Sequence, residues 1–213
     1  MQIIKCRGKN CKECDLSDEE VEMTVGELRK GNLIVYPTET LYGLGANALD
    51  ENAVKKVFMA KNRPFDMPIS IAVSDMPMLE NVAVMDSLSR KLAQKFMPGP
   101  ITLVLKKKPK VPDLVTAGTD EVGIRMPDHP LALRIIRRFG PITSTSANLH
   151  SRPDPVNIKY TVKELGDRVS IYLDCGATKL GHHSTIVAVH NGEIEIIRKG
   201  VISVEEIEAA LNG

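Results

Sequence analysis

Residues 33–45, LIVYPTETLYGLG, constrain the fold of this chain more than any other stretch. Residues 33–36 are apolar and β-prone, which predicts a short buried strand. Pro37 has no backbone N–H for a sheet ladder, so the strand should end there. Hydroxyl and carboxyl side chains follow at once, and Gly43 and Gly45 allow the backbone to turn sharply or to approach a ligand closely. Open α/β sheets bind ligands at strand ends of this kind, although an ordinary strand-to-helix turn has the same pattern.

The composition is that of a globular protein with one large domain or two small ones. Hydrophobic residues make up 43% of the 213 residues and charged residues 26%, which is enough apolar material for a core. The net charge of +1 does not call for a nucleic-acid partner, and an aromatic content of 4% weakens any role in base stacking. Because there is no long apolar run and no apolar signal segment, we expect a cytoplasmic protein without membrane contact.

Helical and extended segments alternate along the first two thirds of the chain. Caps, apolar stripes and Gly or Pro stops predict helices over residues 15–30, 50–62, 86–96 and 130–139, and a last short helix capped by Ser203 and Glu206. Apolar runs predict strands over residues 33–36, 68–73, 101–105, 122–125, 142–144, 169–173, 185–189 and 193–198, the last two joined around Asn191-Gly192. This alternation predicts a single α/β domain, a mixed parallel and antiparallel sheet flanked by helices. We assign residues 17–213 to the domain and residues 1–16 to an amino-terminal, cysteine-containing segment.

Three of the four cysteines lie close to the amino terminus. Cys6, Cys11 and Cys14 are spaced C-x4-C-x2-C, whereas Cys175 is distant in sequence. A structural zinc site needs four ligands, usually as two close pairs, and only Cys11 and Cys14 form such a pair. Cys175, or a histidine at 182–183, would complete a site only if the fold brought it close. The default interpretation is therefore reduced thiols and no metal site, with the role of the amino-terminal cysteines left open.

Neither of the two common phosphate-binding motifs indicates a nucleotide site in this chain. The P-loop pattern G-x-x-x-x-G-K-[ST] is absent. Residues 43–48, GLGANA, match the dinucleotide pattern G-x-G-x-x-[GA] after a strand. However, residues 38–42 separate the strand from the first glycine, and Asp50 is the residue placed to cap the next helix. We therefore discount a dinucleotide site.

Cations and hydroxyls at the ends of predicted elements are more informative. Lys61 and Arg63 follow a helix, and Arg125 and Arg198 end strands. Hydroxyl or amide side chains lie at other strand ends, namely Ser144, Ser146, Asn148, Ser184 and Thr185. If these ends face one cleft, four fixed cations and a ring of hydroxyls would bind a polyanion such as a nucleoside triphosphate. The simpler alternative is that each Lys or Arg stabilises a helix or strand end at the surface.

Seven short motifs resemble, in order, those of the YrdC family of threonylcarbamoyl-AMP synthases. They are PTETLYGLG (37–45), KNRP (61–64), PGPITLVL (98–105), VGIRMPDHP (122–130), TSAN (145–148), HSTIV (183–187) and RKG (198–200). Each motif alone is weakly specific, but the ordered set over about residues 25–200 is strongly specific. The resemblance implies a twisted mixed sheet around a deep basic cavity, and the length fits the short form of the family.

The resemblance also implies a reaction. L-threonine, bicarbonate and ATP, the last with Mg²⁺, would give L-threonylcarbamoyladenylate and pyrophosphate, and a transferase complex would then modify tRNA next to the anticodon. By motif, Thr38, Arg125 and Thr185 would bind L-threonine, with Ser184 as a further contact. ATP would be bound by six residues, the first two of them catalytic: Lys61, Arg63, Ser144, Ser146, Asn148 and Arg198. Since the threonine carbamate attacks the α-phosphorus, no protein nucleophile is needed, and catalysis is positioning and charge neutralisation.

A few positions depart from the family pattern. Asn62 stands where many relatives have Gly, and Ala72 where some have a His that contacts threonine. Glu121 replaces a Thr that contacts ATP in some relatives. An acid close to phosphates is unfavourable, so we expect Glu121 to point away or to approach a metal ion. His150 and Ser151 replace a Ser and a Gly after the TSAN motif.

Other functions have to be separated from the synthase. One is an RNA-binding module, because residues 106–110 form a basic run that would bind RNA in a salt-sensitive manner. Direct tRNA contact is left open. The others are a carbamoyl-transfer domain of hydrogenase maturation and a paralogue without synthase activity. The chain has none of the zinc-finger-like or acylphosphatase-like segments of hydrogenase maturation proteins, and its K-x-R and S-x-N pairs favour the synthase.

Overall fold

The computed structural model describes residues 1–8, 11–190 and 192–212, and its strands form one mixed sheet. In chain order the strands are β1 (Gln2–Lys5), β2 (Ile34–Tyr36), β3 (Gly43–Gly45), β4 (Ser70–Ala72), β5 (Ile101–Lys106), β6 (Glu121–Arg125), β7 (Ile142–Ser146), β8 (Ile171–Asp174), β9 (Thr185–His190) and β10 (Glu193–Arg198). Their order across the sheet is β1-β8-β2-β3-β7-β4-β6-β5-β9-β10. The pairs β1–β8, β2–β8, β4–β6 and β5–β9 are parallel, and the others are antiparallel. The predicted mixed α/β sheet is confirmed.

Helices cover both faces of this sheet. They are α1 (Asp18–Arg29), α2 (Glu51–Lys61), α3 (Met76–Val82), α4 (Ser87–Phe96), α5 (Pro130–Phe139), α6 (Ile158–Leu165) and α7 (Val204–Asn212). Two buried apolar cores result. One core packs α1 and α5 on one face, and the other packs α2, α3, α4, α6 and α7 on the opposite face. Within the described residues, no helix is both long and apolar enough to cross a bilayer.

Local sequence explains where the helices near the site begin and end. Ser17 and Glu20 form the predicted capping box of α1. Asp50 caps α2 by accepting a hydrogen bond from the N–H of Asn52 at 3.0 Å. Asn62 ends α2 in the left-handed region, with φ of 50°, a conformation that Gly adopts most easily and that Asn also tolerates. The departure at Asn62 therefore preserves the turn that leads to Arg63.

The structure adds four elements that the sequence patterns did not predict: β1, β3, α3 and α6. Helix α3 is short and has Pro77 in its first turn, a position where proline is well tolerated. The predicted helix over residues 15–30 is shorter, since Ser17 is the cap and the helix begins at Asp18. The hairpin of β9 and β10 is present, although Asn191 of its predicted turn lies outside the described residues.

Strand β3 consists of GLG, a sequence with little β propensity. It forms because Gly43 fits against a side chain on the neighbouring strand β2. A Cβ at Gly43 would lie 2.7 Å from Cζ of Tyr36, whose ring is completely buried. The absence of a side chain at Gly43 therefore makes room for the Tyr36 ring, whose hydroxyl donates to the carbonyl oxygen of Thr143 at 3.2 Å. The close approach to a ligand expected of Gly43 stays a prediction.

Strand β1 lies at the edge of the sheet and runs parallel to β8. Its register pairs Lys5 with Asp174, which places the next residues, Cys6 and Cys175, side by side at the carboxyl ends of two neighbouring strands. Residues 2–5 thus belong to the same sheet as the rest of the chain. The division of the chain at residue 16 stays a prediction.

Candidate functional site

A cleft of about 270 Å³ opens beside the central strands, where the turn after β2 meets the ends of β7, β4, β6 and β5. Residues 38, 40–43, 63, 68–70, 102, 125, 144–146, 183, 184, 186 and 198 line it. Seven of the ten predicted site residues are among them, namely Thr38, Arg63, Arg125, Ser144, Ser146, Ser184 and Arg198. The other three, Lys61, Asn148 and Thr185, are buried and do not line the cleft.

Arg125 is fixed at the end of β6 by partners from the turn after β2. Its Nη2 donates to Oε1 of Glu39 at 2.7 Å and to Oγ1 of Thr40 at 2.6 Å. The second oxygen of Glu39 accepts from the backbone N–H of Asp128 at 3.1 Å. Nε of Arg125 is buried and has no hydrogen-bond partner within the described part of the chain. An unsatisfied buried donor is costly, so Arg125 has donor capacity that an anionic ligand in the cleft would use.

Arg63 and Arg198 supply two further guanidinium groups to the cleft. Arg63 donates from Nε and Nη2 to the carbonyl oxygens of Met67 and Pro68, at 3.2 and 2.9 Å. Arg198 donates from Nη2 to the carbonyl oxygen of Ser184 at 2.9 Å and to its Oγ at 3.2 Å. Both side chains are therefore held in place by backbone carbonyls before any ligand binds.

The cleft is electrostatically prepared for an anion. Burial lowers the pKa of Arg63. Burial, and then the charge of Arg125, lower the pKa of Arg198. Both shifts mean that the cations are less well solvated than in water, and the shift at Arg198 also reflects repulsion from Arg125. Guanidinium groups stay charged at neutral pH. A bound polyanion would therefore compensate for the lost solvation of these cations and for the repulsion between Arg198 and Arg125.

Hydroxyl groups form the floor of the cleft between these cations. Ser144 and Ser146 lie on β7, as predicted. The structure adds Ser70 on β4 and Thr102 on β5, whose Oγ1 lies 2.9 Å from Oγ of Ser184. Thr102 lies inside the PGPITLVL motif and Ser70 inside the strand predicted over residues 68–73, and neither was singled out as a site residue. The sequence feature that could have identified them is a hydroxyl side chain within an otherwise apolar predicted strand.

Thr38 lines the cleft while its hydroxyl organises the turn that follows β2. Its Oγ1 donates to the carbonyl oxygen of Leu41 at 2.6 Å and accepts from the N–H groups of Thr40 and Leu41, both at 3.2 Å. The turn is thereby closed by a side chain. It holds Glu39 and Thr40 in the positions from which they contact Arg125.

Lys61 lies behind the cleft wall. Its side chain is 2% exposed, and Nζ donates to the carbonyl oxygen of Ser146, to that of Asn148 at 2.7 Å, and to Oδ1 of Asn148 at 3.1 Å. Burial, followed by the charge of Arg63, lowers the pKa of Lys61 to about 7. The three oxygen acceptors match the three N–H groups of the ammonium form, so the site is built around the charged lysine.

Asn148 belongs to the same buried network as Lys61. Its Nδ2 donates to the carbonyl oxygens of Arg152 and Pro153, at 2.8 and 3.0 Å, and its Oδ1 also accepts from Oγ of Ser146 at 2.7 Å. The amide group is thus fully used inside the protein. In this structure Lys61 and Asn148 hold Ser146 in the cleft wall, and their direct contact with ATP stays a prediction.

Thr185 is also used inside the protein. Its Oγ1 donates to the carbonyl oxygen of Ile202 at 2.6 Å and accepts from the N–H of the same residue at 3.0 Å. This pair fastens the start of β9 to the segment after β10. The threonine contact predicted for Thr185 stays a prediction, while its neighbour Ser184 is the residue that lines the cleft.

The departures from the family pattern lie away from the cleft lining. Ala72 is completely buried in the core under α1 and α5. Glu121 begins β6, at the opposite end from Arg125, and its Oε1 lies 2.9 Å from Nδ1 of His190. The acidic side chain therefore points away from the cleft, which is one of the two outcomes expected for it.

The basic run at residues 106–110 follows the end of β5 that is remote from Thr102 and the cleft. Lys107 is paired with Asp113, and Lys110 donates to Oδ1 of Asn81 at 2.6 Å. These lysines make local contacts, as is usual for a solvated strand end. They do not extend the positive surface of the cleft.

Comparison with known proteins supports the interpretation of this cleft. The Sua5/YciO/YrdC family model, described as "Telomere recombination", matches residues 27–200. A threonylcarbamoyl-AMP synthase of Pyrococcus abyssi is 38% identical over 198 residues, which are 92% of this chain and 58% of that protein. The chain thus spans less than two thirds of that relative. A putative threonylcarbamoyl-AMP synthase of Methanocaldococcus jannaschii is 39% identical over 207 residues, covering 94% of this chain and 97% of that protein.

The fold is also similar to a solved structure with a bound amino acid. The crystal structure of P. abyssi Sua5 complexed with L-threonine superposes with a TM-score of 0.93 at 37% identity. The superposition covers 99% of this chain and 61% of that chain. The similarity extends through all the segments that line the cleft.

Proposed function

The chain belongs to the Sua5/YciO/YrdC family, and we propose that it is an L-threonylcarbamoyladenylate synthase, a nucleotidyltransferase that joins L-threonine, bicarbonate and ATP. The observation that carries this proposal is the convergence of Arg63, Arg125 and Arg198 on one hydroxyl-lined cleft. A triphosphate and an amino-acid carboxylate together need several fixed cations. The names of the relatives from P. abyssi and M. jannaschii, and the L-threonine in the related Sua5 structure, support the choice of substrates.

The proposed reaction has two steps, neither of which uses a protein nucleophile. The amine of L-threonine and bicarbonate give the N-carboxylate with loss of water. An oxygen of this carbamate attacks the α-phosphorus of ATP, the bond from that phosphorus to the bridging oxygen breaks, and pyrophosphate leaves. Mg²⁺ would enter bound to ATP as part of the substrate. The protein has to align the carbamate with the phosphorus and to neutralise the charge that moves onto pyrophosphate.

Each cleft residue has a role that its contacts support. Arg125 would bind the carboxylate of L-threonine with donors that Glu39 and Thr40 leave unused, and Thr38 would shape the same end of the cleft. Arg63 and Arg198 would bind the triphosphate. The hydroxyls of Ser144, Ser146 and Ser184 would orient these charged groups.

Lys61 and Asn148 have a different role in this proposal. Both are saturated with contacts inside the protein, so they would act by positioning Ser146. A direct contact of Lys61 with a phosphate oxygen would require Nζ to give up one of its three acceptors.

The test is a threonine-dependent release of pyrophosphate. Purified protein is incubated with ATP, Mg²⁺, bicarbonate and L-threonine, and pyrophosphate and L-threonylcarbamoyladenylate are measured. We expect both products from the wild-type protein, and we expect the Arg63→Ala variant to form them at a greatly reduced rate. Lys110→Ala, which removes a cation remote from the cleft, should match the wild-type rate. If the wild-type protein releases no threonine-dependent pyrophosphate, the synthase is excluded and a paralogue without this activity remains.

The same variants separate the synthase from an RNA-binding module. An RNA-binding module would bind tRNA in a salt-sensitive manner, would lose affinity in Lys110→Ala, and would be indifferent to Arg63→Ala. We propose that the product is passed in the cytoplasm to a tRNA threonylcarbamoyl-transferase complex. Adding such a complex and tRNA to the assay should convert the adenylate into modified tRNA.

A further inference from the structure

The four cysteines, which the sequence separates into two groups, lie close together at the carboxyl ends of β1 and β8, at the edge of the sheet. Cys6 follows β1 and Cys175 follows β8, and the parallel register of these strands makes the two residues neighbours. The backbone of Arg7 pairs with that of Asp15, at 3.0 and 2.8 Å, which returns Cys14 to the same place. The Sγ atoms of Cys6, Cys14 and Cys175 all lie within 4.8 Å of one another.

Cys11 joins this group as a fourth thiol. Its Sγ and that of Cys14 both contact Nε2 of His129, at 3.5 and 3.9 Å, and the two residues form the C-x2-C pair of the sequence. Cys11, Cys14 and Cys175 are each no more than 6% exposed. The four thiols are not joined as disulfides. A disulfide would satisfy only two of the sulfur atoms, whereas three of them converge on one point.

We propose that Cys6, Cys11, Cys14 and Cys175 bind one zinc ion in a tetrahedral site. Zinc–sulfur bonds of about 2.3 Å place tetrahedral sulfur atoms roughly 3.8 Å apart. Cys11, which lies outside the group whose sulfur atoms are within 4.8 Å of one another, would have to move its thiol toward the metal, whereas Cys6, Cys14 and Cys175 need only a small contraction. The sulfur atoms are too close together to surround a cluster of several iron atoms. Each coordinating thiol would release its proton to solvent as the metal binds.

His129 supports the site without being a ligand. Its Nε2 lies 2.7 Å from the carbonyl oxygen of Cys11, which requires a proton on that nitrogen. The same nitrogen is 3.5 Å from Sγ of Cys11 and 3.9 Å from Sγ of Cys14. The single N–H would be shared between this carbonyl oxygen and the nearest thiolate, and it would fix the position of Cys11 beside the metal, as groups around a metal site commonly do.

The metal would brace two walls of the cleft. The N–H of Cys175 donates to the hydroxyl of Tyr42 at 3.0 Å, and this hydroxyl donates to the carbonyl oxygen of Gly176 at 2.7 Å. His129 is adjacent to Asp128, whose N–H donates to Glu39. A closed site with four protein ligands is of the structural type, so the metal would hold these segments and take no part in the chemistry.

The first test is metal analysis of the wild-type protein, purified without chelators under reducing conditions. We expect one zinc ion per chain and a lower melting temperature after removal by a chelator with a mercurial. Cobalt added to the metal-free protein should give the intense thiolate-to-cobalt charge-transfer band and the visible bands of a tetrahedral site with four sulfur ligands. Failure of the reduced wild-type protein to bind either metal would overturn the proposal, whatever the variants do.

The ligand set is tested with single variants. Cys175→Ser should abolish the four-sulfur cobalt spectrum, whereas a site formed by the three amino-terminal cysteines alone would give the same spectrum in the wild-type protein and in the variant. Ala132→Ser introduces a hydroxyl into the same core at a completely buried residue and should leave the spectrum unchanged. His129→Gln should keep the four-sulfur spectrum and bind cobalt about 10- to 100-fold more weakly. If the Cys11→Ser variant shows the same visible cobalt bands as the wild-type protein, Cys11 is not a ligand and this ligand set is overturned.

Discussion

Glu39 and Arg125 form a buried ion pair that joins the turn after β2 to the end of β6. Nη2 of Arg125 lies 2.7 Å from Oε1 of Glu39, and the two side chains are 10% and 6% exposed. The residues are 86 positions apart in the chain. The cation proposed to bind the substrate carboxylate is therefore oriented by the PTET motif, and the two motifs act as one unit.

Replacing Arg125 by Lys should lower kcat/KM for L-threonine by about 100- to 1,000-fold. An ammonium group cannot donate at once to Glu39, to Thr40 and to a carboxylate in the planar geometry of guanidinium. The measurement is threonine-dependent pyrophosphate release at varied L-threonine concentration, with Lys110→Ala as the control for loss of a remote cation. A variant with wild-type kcat/KM would remove Arg125 from the threonine site.

Replacing Arg63 by Ala should lower the rate of adenylate formation by about 100- to 1,000-fold, because one fixed donor to the departing phosphates is lost. The fold should persist, since the side chain bonds only to carbonyls of the neighbouring loop. Single-turnover pyrophosphate release and a thermal melt measure the two effects. Early melting combined with a near-normal rate would mean that Arg63 only stabilises the end of α2.

Replacing Lys61 by Ala should reduce both activity and stability. Three oxygen acceptors lose a donor. Oδ1 of Asn148 and the carbonyl oxygen of Ser146 each keep another one, whereas the carbonyl oxygen of Asn148 loses its contact with Nζ, and an unsatisfied buried group costs about 1–3 kcal/mol. Urea unfolding should therefore show a lower free energy of unfolding than that of Arg63→Ala. A variant that keeps wild-type stability and loses only the reaction would restore Lys61 to the phosphate contact predicted from its motif.

Lys61 should also give stability a pH dependence of known sign. Its pKa in the folded chain is about 7, against an ordinary value of 10.5. Between these two values the unfolded chain binds more protons at this position than the folded chain, so this residue makes the free energy of unfolding rise with pH. Titration of ¹³C-labelled lysine side chains by NMR, with Lys61→Arg for assignment, measures the pKa directly. A resonance that titrates near 10.5 would contradict the expectation.

Replacing Gly43 by Ala should destabilise the protein by about 1–3 kcal/mol, because the new methyl group would overlap the buried ring of Tyr36. Gly26 in α1 is the matched control. A Cβ there meets no atom within 4 Å, and Ala is favoured over Gly in a helix by roughly 0.5–1 kcal/mol, so Gly26→Ala should be slightly stabilising. Equal effects of the two substitutions in urea unfolding would refute the packing argument.

The sequence was most informative where local chemistry determines the structure. Caps such as Ser17 and Asp50, and apolar runs such as residues 101–105, predict elements that the structure contains because their causes lie within a few residues. The ordered motifs likewise predicted Arg63, Arg125 and Arg198 as site residues, and the structure places all three in the lining of one cleft.

The remaining features depend on contacts across the chain, and no local pattern contains them. Whether Lys61 faces the cleft or the protein is decided by the carbonyl oxygens of Ser146 and Asn148, more than 80 residues away. The cysteine cluster depends on the parallel register of β1 with β8. Sequence spacing alone made Cys175 an outlier, and only the strand pairing makes it a neighbour of Cys6.

The interleaved strand order also governs what a growing polypeptide can do during translation. β1 and β2 can be joined only through β8, and β5 has no partner on one side until β9 has been synthesised. A nascent chain therefore carries unpaired strand edges, which are sites of aggregation, for most of its synthesis. Arg198, on β10, is synthesised after every other residue that lines the cleft. The cleft is therefore complete only when all ten of these strands have been made.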